Sequence, residues 1–346
     1  MASKLSDDPR IDPRIKAVFG AMGDLMLAGD ARSRDEMLAY EASEAGMAAA
    51  AGMKAMFDMV DNEQVAPSAG LAIRTEQFRS EPDGNTINIQ FMRPDTDETL
   101  PCVYYIHGGG MMTMSCFDGL YKAWGRIIAA RGVAVAMVDF RNCLRASSAP
   151  EVEPFPAGLN DCVSGVKWVR ANSARLNIDP DRIVVAGESG GGNLTLATGL
   201  KLKQEGDIGL IKGLYALCPY IAGQWPLPEN PSSTENNGIF LELHNNRGAM
   251  AYGIEAFEAR NPLAWPGFAT AEDVRGLPPT VISVNECDPL RDEGINFYRL
   301  LIQNGVSARC RQVMGTTHGV EIFAICCPDI SRDTASDLAR FVREPV

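Results

Sequence analysis

Histidine is almost absent from this sequence: three occur in 346 residues, His107, His244 and His318. That scarcity excludes a multi-histidine metal site and leaves few candidates for a histidine acting as a base. No apolar run approaches the ~18 residues of a membrane span. The first residues, MASKLSDDPRIDPR, are charged and broken by proline, without the apolar stretch of a signal peptide. Cations are the minority, 32 Lys plus Arg against 44 Asp plus Glu, for a formal net charge of −12. Nucleic acid and anionic membrane surfaces recruit clustered positive charge, so neither is an expected partner. The nine cysteines are odd in number and contain no C-x-x-C pair, against both a disulfide framework and a zinc site. Most sit in apolar runs, where a free thiol packs as a small hydrophobe; adjacent Cys326 and Cys327 read as two buried thiols rather than a strained disulfide. These absences predict a soluble, cytoplasmic protein with no cofactor and no metal. A homo-oligomer is left open.

What is present is an ordinary globular balance, 46% hydrophobic and 22% charged. Residues 1–65 stand apart in composition. From Ser33 to Asp61 the chain is rich in Ala, Met and Glu and free of proline, which favours helix. Met37, Leu38, Met47, Met53, Met56, Phe57 and Val60 suggest an amphipathic face, interrupted near Gly46 or Gly52. The segment reads as a helical layer on the main domain, or as a lid with a flexible methionine wall.

From about residue 70 the pattern becomes α/β. Thr86–Met92 alternates polar and apolar after a turn at Pro82-Asp83-Gly84-Asn85. Apolar runs at Pro101–Ile106, Gly132–Val138, Arg182–Ala186, Leu214–Leu217 and Pro279–Val284, with Ala308–Val313, read as further strands. Helices are expected at about Asp118–Ala130 and Leu159–Leu176, with a turn at Asp179-Pro180-Asp181. Strand and helix in alternation imply a mostly parallel sheet covered on both faces. Residues 219–267 break the rhythm with prolines 219, 226, 228, 231, 262 and 266 and many Asn, and read as an insertion above the sheet.

The chemistry concentrates in two glycine motifs. Gly187-Glu188-Ser189-Gly190-Gly191 follows the apolar strand Ile183–Ala186 and runs into a plausible helix. A strand-to-helix turn this tight needs glycine on both sides, holds the serine hydroxyl clear of the sheet and aims a helix N-terminus at the reacting centre. A phosphate-binding turn would instead require Lys followed by Ser or Thr. His107-Gly108-Gly109-Gly110 follows the strand Val103–Ile106, and its glycines let backbone N–H groups approach an oxyanion. Its spacing is not that of a dinucleotide loop. His107 then orients the loop.

A serine nucleophile needs a base, and the base a carboxylate. His318 lies past Ala308–Val313, and Asp288 past Pro279–Val284, so the order Ser189, Asp288, His318 fits an α/β hydrolase. Glu286 and Asp292 are rival carboxylates; Asp292 suits the start of the next helix better. His244, in the insertion, reads as a surface histidine.

With these residues in place, the sequence resembles the hormone-sensitive-lipase family of α/β-hydrolases over about residues 70–345. The likeness rests on His107–Gly110, Gly187–Gly191 and the acid motif Asp288-Pro289-Leu290-Arg291-Asp292-Glu293-Gly294. The resemblance implies an α/β-hydrolase fold with an eight-stranded sheet and a helical cap, formed by residues 1–65 and the insertion at about 219–267 within a catalytic domain of 66–346. It also implies an oxyanion hole from the N–H groups of Gly109, Gly110 and Gly190. Gly190 replaces the alanine common in the family, which leaves its N–H in place. Met111 and Met112 follow the glycines and are candidate substrate contacts. The expected function is a serine carboxylesterase acting on a small-molecule ester (small acyl, aryl or lactone) through an acyl-enzyme. The rivals are a non-catalytic receptor, disfavoured because such receptors of this family lose the histidine, and a serine amidase or peptidase.

Overall fold

The computed structural model describes residues 4–20 and 29–344. The expectations for a cap at residues 1–3 and 21–28 lie outside the described residues. Helix α1 (Pro13–Phe19) buries Ile15 and Phe19. Helices α2 (Arg34–Glu41) and α3 (Glu44–Asp58) follow. The break between them falls at Ala42–Ser43, ahead of both expected glycines. Ser43 caps α3 by accepting from Gly46 N at 3.1 Å, so the hydroxyl sets the interruption and Gly46 and Gly52 lie within the helix. The expected apolar face is only partly buried: Met37, Phe57 and Val60 are inside, whereas Met47 and Met53 face solvent.

Eight strands form one sheet in the order β1-β2-β4-β3-β5-β6-β7-β8. They are β1 (Leu71–Arg79), β2 (Thr86–Pro94), β3 (Leu100–Ile106), β4 (Ala134–Val138), β5 (Ile178–Glu188), β6 (Gly213–Leu217), β7 (Thr280–Asn285) and β8 (Ala308–Val313). β1 pairs antiparallel with β2, and β2 with β4; every other pairing is parallel. Strands β3, β4, β6 and β7 are buried along their whole length, as a sheet covered on both faces requires. Side chains alternate between two cores. Tyr104, Ile106 and Val185 enter one with α5 (Ala157–Ala171), α6 (Gly190–Glu205) and α8 (Arg291–Gln303); Val103, Tyr105 and Val184 enter the other with α4 (Gly119–Ala129) and α9 (Pro328–Arg343).

Two local expectations change. Asp179-Pro180-Asp181 lies inside β5, at a register shift opposite Leu100 and Cys102, although Asp179 Oδ1 still accepts from Asp181 N at 2.9 Å. The helix expected to reach Leu176 stops at Ala171, and a separate turn covers Ser173–Leu176.

Residues 219–267 add no strand to the sheet and contain the short helix α7 (Arg247–Tyr252). Asn246 clasps the N-terminal segment, its amide bonding both the N–H and the carbonyl of Ala31 at 2.8 and 3.0 Å. Arg34 reaches the carbonyls of Cys143 and Val152. All nine cysteines are unpaired, and the Cys326 and Cys327 sulfurs lie 3.8 Å apart. Among the described residues no helix is long and apolar enough to cross a membrane.

Candidate active site

β5 ends at Glu188 and α6 begins at Gly190, so Ser189 alone makes the turn. Its φ of 57° and ψ of −120° are strained for a residue with a side chain. The crossing is too close for anything but glycine beside it: a Cβ on Gly191 would lie 2.0 Å from the Ile106 carbonyl oxygen. Ser189 N donates to Leu217 O at 2.9 Å, fixing the elbow to β6. The serine remains half-buried, in reach of solvent.

Two loops from the carboxyl edge converge on it. The loop after β8 brings His318 Nε2 to 2.9 Å from Ser189 Oγ, and the turn after β7 brings Asp288 Oδ2 to 2.8 Å from His318 Nδ1. Asp288 is fully buried and its other oxygen accepts from Leu290 N. Burial pushes the imidazole's pKa down, but the Asp288 charge and hydrogen bond outweigh it, and the net shift is upward. With the Nδ1 proton held by the carboxylate, Nε2 is the nitrogen free to accept from the serine. The rival carboxylates are engaged elsewhere. Glu286 Oε2 accepts from Gly315 N at 2.7 Å, and Asp292 caps Ser232 N at 2.7 Å and pairs with Arg291.

The loop after β3 carries Gly109 and Gly110 at φ of 90° and 64°, and Met111 at 62°. Gly190 abuts it, since a Cβ there would sit 2.7 Å from Gly110 N. Among the described residues no protein acceptor takes the N–H of Gly109, Gly110 or Gly190. His107 is fully buried, bonds the Gly108 carbonyl through Nδ1 at 3.0 Å and stacks on Phe140 at 4.3 Å. Burial holds its pKa below the ordinary value.

Sequence reasoning passed over Glu188. Its buried carboxylate accepts from Gly108 N at 2.7 Å, Tyr121 OH at 2.6 Å and Tyr105 OH at 2.5 Å. The residue preceding Ser189 thereby grips the residue preceding the Gly109–Gly110 pair. Burial pushes its pKa up to about 7 against those bonds. A charged residue between an apolar strand and the serine is the available signal; its partner Tyr105 lies within an apolar run and Tyr121 within an expected helix, and neither is marked by sequence. Of the candidate substrate contacts, Met111 is buried in the core and Met112 is half-buried beside Gly110. His244 is exposed, its Nε2 2.9 Å from the Ser233 carbonyl. Cys218, Asp288 and His318 place one sulfur, oxygen and nitrogen within 4.8 Å of one another, but Asp288 and His318 already use theirs on each other.

Comparison with known proteins agrees with this architecture. The family model described as the alpha/beta hydrolase fold matches residues 103–322, and the chain belongs to that family. Several proteins similar to it are named esterases, and the chain is accordingly a carboxylic ester hydrolase. It is 31% identical over 255 residues to carboxylesterase NlhH of Mycobacterium tuberculosis, covering 72% of this chain and 76% of that protein. It superposes on the structure of esterase Est22 with a TM-score of 0.98 and 66% identity, covering 99% of this chain and 100% of the other. Brefeldin A esterase, described as a bacterial homologue of human hormone-sensitive lipase, superposes with a TM-score of 0.85 and 35% identity over 98% of this chain and 94% of that one.

Proposed function

We propose that the protein is a serine carboxylesterase in which Ser189 attacks the ester carbonyl, His318 moves the proton and Asp288 orients the histidine. The observation that carries this reading is the continuous bond path from Ser189 Oγ through both His318 nitrogens to Asp288 Oδ2, at 2.9 and 2.8 Å. As Oγ attacks, Nε2 takes its proton, and the imidazolium is stabilised by the buried carboxylate. The tetrahedral oxyanion is held by the unengaged N–H groups of Gly109, Gly110 and Gly190, each such donor contributing roughly 10²–10³ in rate. Nε2 then protonates the leaving alcohol. The resulting acyl-enzyme is hydrolysed by water activated by the same nitrogen, which releases the acid and restores the serine.

The described part of residues 1–65, with about 219–267, forms a cap over this edge and selects among small acyl, aryl or lactone esters. Met112, half-buried beside the glycines, is the better placed of the two methionines to meet substrate. The names of similar proteins support an ester substrate: carboxylesterase, arylesterase, brefeldin A esterase, and Est22 in a structure with p-nitrophenol. Nine unpaired thiols support a reducing, cytoplasmic setting. Ser189→Ala tests the reading. Turnover of a p-nitrophenyl short-chain ester should fall by roughly a million-fold with an unchanged circular dichroism spectrum; retained turnover refutes the assignment.

A further inference from the structure

The turn that carries Asp288 is held from outside the catalytic edge. Asn236, fully buried in the insertion, donates through Nδ2 to the carbonyl oxygens of Glu286 and Asp288, each at 3.1 Å. Its Oδ1 accepts from Arg10 Nη2 at 2.9 Å. Arginine only donates and the two carbonyls only accept, so the amide fits in one orientation alone. Arg10 is itself aimed by Asp8, at 2.6 and 3.0 Å, and pairs with Glu235. Two residues further on, Asp12 N donates to the Gly315 carbonyl at 2.9 Å, at the start of the loop that carries His318. The loops also hold each other, through Gly315 N to Glu286 Oε2 at 2.7 Å and Cys287 N to Thr316 O at 2.9 Å. Residues 8–12 therefore grip the acid loop through Asn236 and the histidine loop directly.

We infer that Asn236 is a positioning residue for the reaction, keyed by Arg10, so that the docked N-terminal segment sets the Asp288–His318 register. The inference rests on the triad proposed above. Buried carbonyls that lose their donors turn toward other partners, and the carboxylate of Asp288 moves with its own peptide. A displacement of about 1 Å at a reacting group costs up to ~10²-fold in rate. His318 is faced by Asp288 after β7, Glu321 beyond its own loop and Glu188 on β5, with the Cys218 thiol close by. Asp288 is the one in direct contact, so its withdrawal lowers the histidine pKa.

The experiment compares the full-length parent with Asn236→Ala, Arg10→Ala and Arg10→Lys, using p-nitrophenyl acetate across pH. Asn236→Ala should lose between about ten- and a hundredfold in kcat, keep KM within about twofold, and move the acid limb of kcat/KM to lower pH. Arg10→Ala, at a partly exposed position, should shift both readouts in the same direction by less. Arg10→Lys, which keeps one donor for Asn236, should recover part of the loss. Parental kcat and an unmoved acid limb in folded Asn236→Ala or Arg10→Ala overturn the inference, even if the melting temperature drops. If Asn236→Ala does not fold, Arg10→Ala decides. The two failures are distinct: turnover retained by Ser189→Ala removes the triad, whereas parental behaviour of the Asn236 and Arg10 variants removes the brace alone.

Discussion

The antiparallel edge of the sheet and its parallel centre handle charge in opposite ways. At the antiparallel edge, Glu76 on β1 lies between Arg74 at 2.7 Å and Arg175 at 2.9 Å, and both arginines are exposed. Partial burial raises the Glu76 pKa, but the two guanidinium bonds outweigh it and the net shift is downward. In the parallel centre, Glu188 and Glu293 are fully closed off and burial pushes them up to about 7 and about 8. The bonds there run to neutral donors, backbone among them: Glu293 accepts from Ile221 N, Ala222 N and Trp225 Nε1, and Glu188 from Gly108 N and the hydroxyls of Tyr105 and Tyr121. At the edge, charge decorates a surface that water would solvate anyway. In the centre, carboxylates replace water as partners for loops whose glycines and positive φ angles leave N–H groups exposed. Glu188 at the end of β5 and Glu293 in α8 thus brace buried loops, whereas Glu76 on β1 ties its own strand to the turn at Ser173–Leu176 on the surface.

That contrast predicts very different consequences of removing a charge. Asp288→Asn, which leaves the shape of the site, should lower kcat by about 10⁴ because an amide can hold His318 in the wrong tautomer. In the parent, His318 is inactive when protonated and its pKa is raised, so kcat/KM should climb with pH through an apparent value above the ordinary ~6.5; in Asp288→Asn that limb should move down. A pH profile that is the same in both would erase the distinction between centre and edge. At the other extreme, Arg74→Ala should leave kcat and KM at parental values and shift unfolding free energy by less than about 1 kcal/mol, measured by urea denaturation. A loss of activity there would mean that the edge is coupled to the site.

The same contrast explains which parts of the molecule were legible from the sequence. β3 to β7 are recognisable because burial on both faces imposes continuous apolar runs. Ser189 and the Gly108–Gly110 loop are recognisable because their geometry requires glycines within a few residues. Strand β1 went unrecognised: LAIRTEQFR is mostly exposed, and its pairing with β2 comes from a turn in which Ser80 N bonds Asn85 O, not from an apolar pattern. The sequence pattern points to a glycine for the break before α3, whereas the cap supplied by Ser43 determines it. Glu188 and Asn236 were missed for one reason. Their partners lie 80 residues away at Gly108 and 52 residues away at Asp288, and no local pattern announces either pairing.

The central claim is that one serine is made nucleophilic by one histidine, and covalent trapping tests it most directly. The protein is incubated with a fluorophosphonate, which reacts with activated serines, and the adduct is located by peptide mass spectrometry. The account predicts a single adduct on Ser189, with loss of esterase activity in proportion to labelling, and no adduct in His318→Ala. Labelling of another residue at the same rate, or full activity with Ser189 modified, would contradict it.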